Sequence, residues 1–291
     1  MVLQFQAGDP LPGLRVSNDV DWAGIQLALQ NGSTLTPFLP LGDDAGYVWI
    51  PKNGCTSLKR AWLQVHQGLA SNLDDHEMIH GQVKLQTHWL NPEQLRAVGV
   101  HRGLVAIWRD PIDRFVSACR SHLIELTAGA IQRKLEQFSG GDRAKLAEVV
   151  RWHQDRFQRE GVDPFDDGIG PVEAMNRVAI QQSAWLRCHI DWSHHTTPQV
   201  SYLGADPTAY RTILGMEQIQ FVIEHWGRAS GLALDPAPLH ASKSLDGFNP
   251  WRRLQRDQLT PEAHAALERF YAADWTFLES AQRQLGAWQA A

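Results

Sequence analysis

A lysine, a glycine and two hydroxyl residues lie together in the short segment Pro51-Lys-Asn-Gly-Cys-Thr-Ser57. An apolar run precedes this segment and an amphipathic pattern follows it, which predicts a strand, a tight turn and a helix. Backbone N–H groups at the start of such a helix attract an anion. Gly54 lets the chain curl around that anion, and Lys52 supplies a mobile positive charge. Thr56 and Ser57 add hydroxyl donors, so the segment is a candidate phosphate-binding turn.

An arginine and a serine form a second candidate anion site. The apolar run Gly103-Leu-Val-Ala-Ile-Trp108 predicts a buried strand, which Arg109 follows directly. Asp110 and Pro111 suit the N-cap and first position of a helix, and Ser117 lies roughly 9 Å along that helix. A guanidinium and a hydroxyl can grip a second phosphate. The alternative is that Arg109 pairs with Asp110 or bonds a carbonyl, and that Ser117 packs against the sheet.

The two segments together resemble a known enzyme family. The first is not a Walker A motif, because its lysine precedes its glycine. Instead, Pro51-Lys-Asn-Gly-Cys-Thr-Ser-Leu-Lys-Arg60 is similar to the 5′-phosphosulfate loop of sulfotransferases that use 3′-phosphoadenosine 5′-phosphosulfate (PAPS). Arg109-Asp-Pro-Ile-Asp-Arg-Phe-Val-Ser117-Ala-Cys-Arg120 is similar to their 3′-phosphate element, with the same interval between arginine and serine. The resemblance is strongest to the carbohydrate-sulfating branch.

The resemblance implies an activity and a set of binding residues. The expected reaction transfers the sulfuryl group of PAPS to a hydroxyl, with a glycan or another small molecule as acceptor, and releases 3′-phosphoadenosine 5′-phosphate (PAP). No metal is expected, and Lys52 would neutralise charge on the leaving phosphate. Near the C-terminus, Lys243 is the candidate in a basic loop that closes over the nucleotide; a solvated loop lysine is the alternative. The implied cofactor ligands are Lys52, Asn53, Gly54, Cys55, Thr56 and Ser57 on the 5′ side, and Arg109 and Ser117 at the 3′-phosphate.

A histidine is the natural base for the acceptor hydroxyl, because its unperturbed pKa of about 6.5 is close to working pH. The chain has 13 histidines. His88 precedes the Arg109 strand by an interval similar to that of the catalytic histidine in cytosolic members of the family, so we expect His88 to be the base. His80 is the second candidate, and the alternative for His88 is a satisfied histidine at a strand end.

Two other classes of function have to be weighed. His76-Glu-Met-Ile-His80 fits the pattern that places two zinc ligands and a glutamate base on one helix face, as in metalloproteases. Gly81 follows immediately, the preceding residues 72–75 allow only a short helix, and no third ligand follows at a familiar spacing. We therefore expect no metal site. The remaining class is a nucleotide-binding sensor or scaffold without turnover, which would tolerate loss of His88.

The elements that must position these residues alternate between strands and helices. This alternation predicts an α/β fold with a mostly parallel central sheet covered by helices, in a three-layer, P-loop-like arrangement with ligands at the carboxyl ends of the strands. The first helix is expected to have Thr56 or Ser57 as its N-cap and Gly68 as its stop. We expect a single domain over 1–291, with a mainly helical insertion at about 126–190. Further strands are predicted at 199–203 and 212–214, and further helices at 143–160, 171–190, 217–230 and 261–285.

Composition limits the partners. The 291 residues carry 27 Lys and Arg against 32 Asp and Glu, a formal net charge of −5. Such a chain repels a polyanion, so we expect no nucleic-acid partner, and local groups must hold any anionic ligand. No stretch reaches the ~18 apolar residues of a membrane helix, and the first residues show no leader pattern. Three scattered cysteines do not form a disulfide framework, which favours a cytoplasmic protein.

Overall fold

The computed structural model describes residues 25, 28–29, 31–41, 45–68, 76–235 and 249–285. The chain divides into two compact units. The first comprises Met1–Arg109, Pro198–Ala241 and Ala273–Ala291, and the second comprises Asp110–Thr197 and Ser242–Ala272. The expectation of one domain with an insertion stays a prediction.

A five-stranded mixed sheet forms the first unit, and the α/β class is confirmed. Its strands are paired in the order β3-β1-β2-β4-β5. β2, β4 and β5 are parallel neighbours, whereas β1 pairs antiparallel with both β2 and β3. Two of the four strand pairings are parallel. β1 and β2 pair antiparallel because only residues 42–44 join them, and so short a connection does not allow a parallel pair. The P-loop-like fold stays a prediction. The strands are β1 (Thr36–Leu41), β2 (Ala45–Val48), β3 (His88–Leu90), β4 (Gly103–Trp108) and β5 (Tyr210–Gly215).

Thirteen α-helices occur in the part of the chain that the structure describes. None of these described helices is long and apolar enough to cross a membrane. In chain order they are α1 (Cys55–Gln67), α2 (His76–Gln86), α3 (Pro92–His101), α4 (Pro111–His122), α5 (Ala128–Ser139), α6 (Arg143–Glu160), α7 (Pro171–Ile180), α8 (Gln182–Cys188), α9 (Ile190–Thr196), α10 (Val200–Leu203), α11 (Ile219–Ser230), α12 (Pro261–Phe270) and α13 (Ala272–Leu285).

Helices cover both faces of the sheet in the first unit. Because side chains alternate across a strand, neighbouring residues of β2 enter different cores. Val48 lies in a core with Leu95 of α3 and Phe277 of α13. Tyr47 lies in the other core, with Leu58 of α1 and residues of α2 and α11. The two buried layers fix the register of the sheet, and with it the positions of the strand ends.

The second unit is mainly helical around one apolar core. Phe115 and Cys119 of α4 pack there with Trp185, Trp192 and Tyr271. The region 126–190 contains α5 to α8, and α6 has the predicted bounds. The predicted helix over 171–190 is interrupted at Gln181, where α7 ends and α8 begins. Mainly helical character is therefore present in this region.

One predicted strand is wrong. Residues 199–203 were expected to be extended, but Val200–Leu203 forms the short helix α10. The Asp274 carboxylate accepts hydrogen bonds from the N–H groups of Gln199 and Val200 at 3.0 and 2.9 Å. The carboxylate thus binds the N–H groups at the start of helix α10, and the helix ends at Gly204. The strand predicted at 212–214 lies within β5.

Candidate functional site

The β2–α1 turn, residues 51–57, has a backbone shape that few sequences tolerate. Lys52 and Gly54 both have left-handed φ angles, 68° and 66°. A left-handed conformation costs roughly 1–2 kcal/mol at a residue with a side chain. At Gly54, an added Cβ would also clash with Cδ1 of Ile219. Strain at Lys52 and the requirement for glycine at Gly54 are features that cluster at ligand-binding turns.

Helix α1 begins inside this turn, and its N-cap lies two residues before Thr56, the first of its predicted caps. Its N-cap is Gly54, and no side chain caps its first N–H groups. The prediction that Thr56 or Ser57 caps the helix is wrong, because both residues lie in its first turn. The predicted stop is confirmed, since Gly68 takes the left-handed conformation after Gln67. The first turn of α1 contains no acidic residue, so it presents a positive dipole end.

Asn53 ties the turn to the neighbouring strand β4. Its side chain is fully buried. The Asn53 amide nitrogen donates to the backbone oxygen of Ile107 at 2.7 Å and to Oε1 of Gln199 at 2.6 Å. Buried amides are stable only when they are hydrogen-bonded, so these two bonds fix the turn against the end of β4. Asn53 therefore acts as a structural support of the turn.

Arg109 contacts the same turn from the end of β4. Its Nη1 donates to the backbone oxygen of Lys52 at 2.8 Å, which is the carbonyl bond that the sequence analysis gave as the alternative to phosphate binding. The Gln199 amide holds the Arg109 backbone on both sides, accepting from its N–H at 3.3 Å and donating to its carbonyl at 2.8 Å. Both anion-binding candidates of the first unit, the turn and Arg109, thus lie at the carboxyl ends of adjacent parallel strands, where such sheets bind ligands.

Three further predicted residues lie in the first turn of α1. Cys55 and Ser57 are buried, whereas Thr56 is half-buried. The Thr56 hydroxyl lies 3.1 Å from Nε2 of His80, on the neighbouring helix α2. The second-choice histidine of the sequence analysis is therefore in direct contact with the predicted phosphate-binding turn.

A buried lysine of α1, Lys59, contacts the other ring nitrogen of this histidine. Lys59 Nζ lies 3.3 Å from Nδ1 of His80 and 3.4 Å from the centre of the Trp49 ring. Burial lowers the pKa of Lys59 to about 8; the nearby Cys55 raises the pKa, and the charge of Lys84 lowers it further. The sequence analysis did not single out Lys59, although it belongs to the segment quoted for the 5′-phosphosulfate loop.

His88, the first-choice base, lies elsewhere in the first unit. It pairs with Phe38 in the sheet, and cross-strand partners share a face. Helices α1 and α2 pack on the opposite face. β1 separates β3 from β2, which sets His88 about 10 Å from β2. Burial, and then the charge of Arg102, lower the pKa of His88. The structure brings His80, and not His88, to the turn; the role of His88 stays a prediction.

The possible zinc motif lies on α2. This helix runs through Gly81 to Gln86, so the expectation of a short helix is wrong. The side chains of His76 and Glu77 lie outside the described residues. Both ring nitrogens of His80 lie within hydrogen-bond distance of Thr56 and Lys59, and an ammonium beside the ring disfavours a cation there. Among the described residues, no three His, Cys, Asp or Glu side chains could hold a metal ion.

Ser117 and Lys243 are the remaining predicted cofactor ligands. Ser117 is buried in α4, within the second unit. Asp110 caps that helix as predicted, accepting from the N–H groups of Ile112 and Asp113 at 2.9 and 3.0 Å. Arg256 pairs with the Asp110 carboxylate at 3.1 Å. Lys243 lies outside the described residues. The roles of Ser117 and Lys243 stay predictions.

Sequence reasoning missed the residues that assemble the site, namely Gln199, Asp274 and Lys59. Gln199 lay in a segment predicted to be a strand, and its partners Asn53 and Arg109 are 146 and 90 residues away. No local pattern reports contacts over such separations. Asp274 likewise lies 75 residues from Gln199, whose N–H it binds. Lys59 carried no signal beyond its position in the motif.

Comparison with known proteins gives no match to a family model, a curated protein or a solved structure. The functional argument therefore rests on the residues of this chain.

Proposed function

We propose that this protein is a sulfotransferase that moves the sulfuryl group of PAPS to a hydroxyl acceptor, with carbohydrates as the acceptor class. The strongest support is that the turn and Arg109 follow the adjacent parallel strands β2 and β4 at their carboxyl ends, where Arg109 also hydrogen-bonds the backbone of Lys52 at 2.8 Å. Two residues proposed to hold opposite ends of one nucleotide thereby meet at one edge of the sheet. Two further features add to this support: the first turn of α1 has no side-chain cap and no acidic residue, and Lys52 has a left-handed backbone.

The proposed reaction is a direct displacement at sulfur. The acceptor oxygen forms a bond to sulfur while the bond from sulfur to the 5′-phosphate oxygen breaks, and the acceptor proton passes to a base. PAP leaves with the electron pair of the broken bond. Lys52 and the N–H groups that begin α1 stabilise the charge that develops on the leaving oxygen. Arg109 holds the 3′-phosphate, since its planar guanidinium suits a phosphate.

His88 is the proposed base. A base must be unprotonated, and the lowered pKa of His88 keeps its imidazole neutral at pH 7. His88→Ala should lower kcat/KM roughly 10²- to 10⁴-fold and leave PAP affinity unchanged. Loss of PAP affinity would make His88 structural. A retained rate would show that His88 is not the base.

A ligand panel tests the proposed function. Thermal shifts are measured for the full chain with PAP, ATP and AMP, and transfer of radiolabelled sulfate from PAPS to a set of glycans follows. A ligand at a hundredfold excess over its Kd adds about 2.7 kcal/mol, so binding is readily detected. Stabilisation by PAP above ATP and AMP, with transfer, supports the proposal. Stabilisation without transfer to any hydroxyl acceptor indicates a sensor, and preference for ATP indicates a phosphoryl-transfer enzyme.

A further inference from the structure

Lys59 is a buried cation beside the β2–α1 turn. Its residue surface is only 1% exposed. Removing an ammonium from water costs free energy, and the face of the Trp49 ring, 3.4 Å away, offsets only part of that cost. An apolar residue of similar length would fill the same space without this cost. The ammonium of Lys59 is therefore placed to act through the groups that it contacts, the Trp49 ring and His80.

The contacts of Lys59 determine which nitrogen of His80 carries a proton. An ammonium donates hydrogen bonds and accepts none, so Nδ1 of His80 must accept from Lys59 at 3.3 Å. In the neutral ring the proton then lies on Nε2. Nε2 donates to the Thr56 hydroxyl oxygen at 3.1 Å. With a lone pair of that oxygen occupied, the hydroxyl proton of Thr56 is directed to another acceptor.

We propose that Lys59 is a positioning residue: it holds His80 in the Nε2–H form, and His80 in turn directs the Thr56 hydroxyl proton at the 5′-phosphate of the nucleotide. This inference rests on the proposed function, because it names PAP or PAPS as the anion in the turn. Lys59 and His80 need not touch the nucleotide. Their effect reaches it through Thr56, which lies in the first turn of α1.

Two lysines lie near the His80 ring: Lys59 faces it from α1, and Lys84 lies one turn further along α2. A proton on Nδ1 would break the bond from Lys59. Cys55 is the other titratable group that acts on Lys59, and it raises the lysine pKa. Because the pKa of Lys59 is about 8, its side chain is mainly an ammonium at neutral pH, as its donation to Nδ1 of His80 requires.

The proton position can be read directly from histidine-labelled protein. Two-bond ¹⁵N–¹H spectra distinguish an imidazole protonated on Nε2 from one protonated on Nδ1 at pH 7. The wild-type His80 should show the Nε2–H form, and Lys59→Met should give a mixture of both forms. Lys84→Met is the matched control, because it removes a neighbouring lysine charge without removing the donor to Nδ1. A wild-type ring protonated on Nδ1 would overturn the inference.

Binding of PAP tests the consequence for the turn. Thr56→Val should raise the Kd of PAP about tenfold to a hundredfold, the effect of one hydrogen bond to a charged group, and Lys59→Met should raise it less, because some of the His80 rings keep the Nε2–H form. The double variant should bind no worse than Thr56→Val, because both changes act on the same hydrogen bond. Thr56→Ser keeps the hydroxyl and should bind as wild type. His80→Gln, which can keep an N–H near Thr56, should bind better than His80→Asn.

The outcomes separate this inference from the proposed function. If wild type fails to bind PAP, the proposed function is wrong. If wild type binds PAP but Lys59→Met binds equally tightly, or if the losses add in the double variant, only the positioning role is wrong. A Lys59→Met chain that does not fold leaves the wild-type spectrum, the Thr56 pair and the His80 pair, which still decide the matter.

Discussion

Nη1 of Arg109 donates to the backbone oxygen of Lys52 at 2.8 Å, which joins the residue after β4 to the turn after β2. The contact uses one N–H of a guanidinium that carries five, arranged in a plane. An arginine can therefore brace the turn and face a phosphate at the same time. A lysine has three donors on one flexible ammonium nitrogen and lacks the planar, forked donors that suit a phosphate.

Arg109→Lys should therefore reduce the preference for PAP over AMP. The variant keeps the charge but loses the planar donors, so we expect PAP affinity to fall about tenfold or more and AMP affinity to change less. Calorimetric titration with both nucleotides measures this. Arg96→Lys, at an exposed position on α3, is the control. An unchanged PAP-to-AMP ratio in Arg109→Lys would remove Arg109 from the nucleotide site.

Gln199→Met should destabilise the first unit. The change removes the partners of the Arg109 backbone and one partner of the Asn53 amide. Because buried polar groups left without a bond each cost about 1–3 kcal/mol, we expect a loss of about 2–4 kcal/mol in the free energy of unfolding. Urea denaturation gives the value. Gln220→Met, at an exposed position on α11, should change it little; a similar small loss in Gln199→Met would contradict the network.

Gly54→Ala should cost more stability than Gly68→Ala. Both glycines flank α1 with φ near 60°, at 66° and 61°, so an alanine is strained at either position. At Gly54 the new Cβ would meet the side chain of Ile219, whereas at Gly68 no atom of the described residues lies within 4 Å. We expect losses of about 3 and about 1 kcal/mol, respectively. Equal losses in urea unfolding would show that the contact with Ile219 relaxes at no cost.

Acid should destabilise the second unit through His189. Burial lowers its pKa to about 3; the charges of Lys134, His153 and His122 lower it as well, whereas that of Glu125 raises it. As the pH falls below about 6.5, the unfolded chain binds a proton at His189, whereas the folded chain binds it only near pH 3. The free energy of unfolding therefore has its full value above about pH 6.5 and decreases as the pH falls toward 3. At pH 4 the expected loss from this residue is on the order of 3 kcal/mol.

His189→Asn should flatten that pH dependence. The Nδ1 atom of His189 accepts from the N–H of Trp192 at 3.2 Å, and an asparagine oxygen can replace this helix cap without titrating. The measurement compares unfolding free energies at pH 7 and pH 4 for wild type, His189→Asn and the exposed control His101→Asn. Equal pH dependence in wild type and His189→Asn would exclude His189 as the source.

Local patterns predicted the segments in which sequence and structure agree. The apolar run before Lys52 and the periodic residues after it correctly indicated β2 and α1, and Asp110 with Pro111 correctly indicated the start of α4. In each case short-range chemistry decides: a turn glycine, a capping carboxylate or an amphipathic face. The helix at 143–160 has the bounds that its pattern predicts.

The features that the sequence did not predict depend on contacts between residues far apart in the chain. β1 contains Pro37 and Pro40, residues that local rules exclude from a central strand, yet it lies between β3 and β2. His88 was chosen by its interval from Arg109, and an interval does not specify a face of the sheet. His80 reaches Thr56 only because α2 packs beside α1. The polar network around Gln199 likewise joins residues that no window along the sequence contains.

Titration of the full chain with PAP and with AMP, side by side in one buffer, decides whether the turn after β2 and Arg109 form one nucleotide site. PAP carries the 3′-phosphate that AMP lacks, so the proposed site should bind PAP at least about tenfold more tightly. Equal affinity for the two nucleotides, or no binding of PAP, would contradict it.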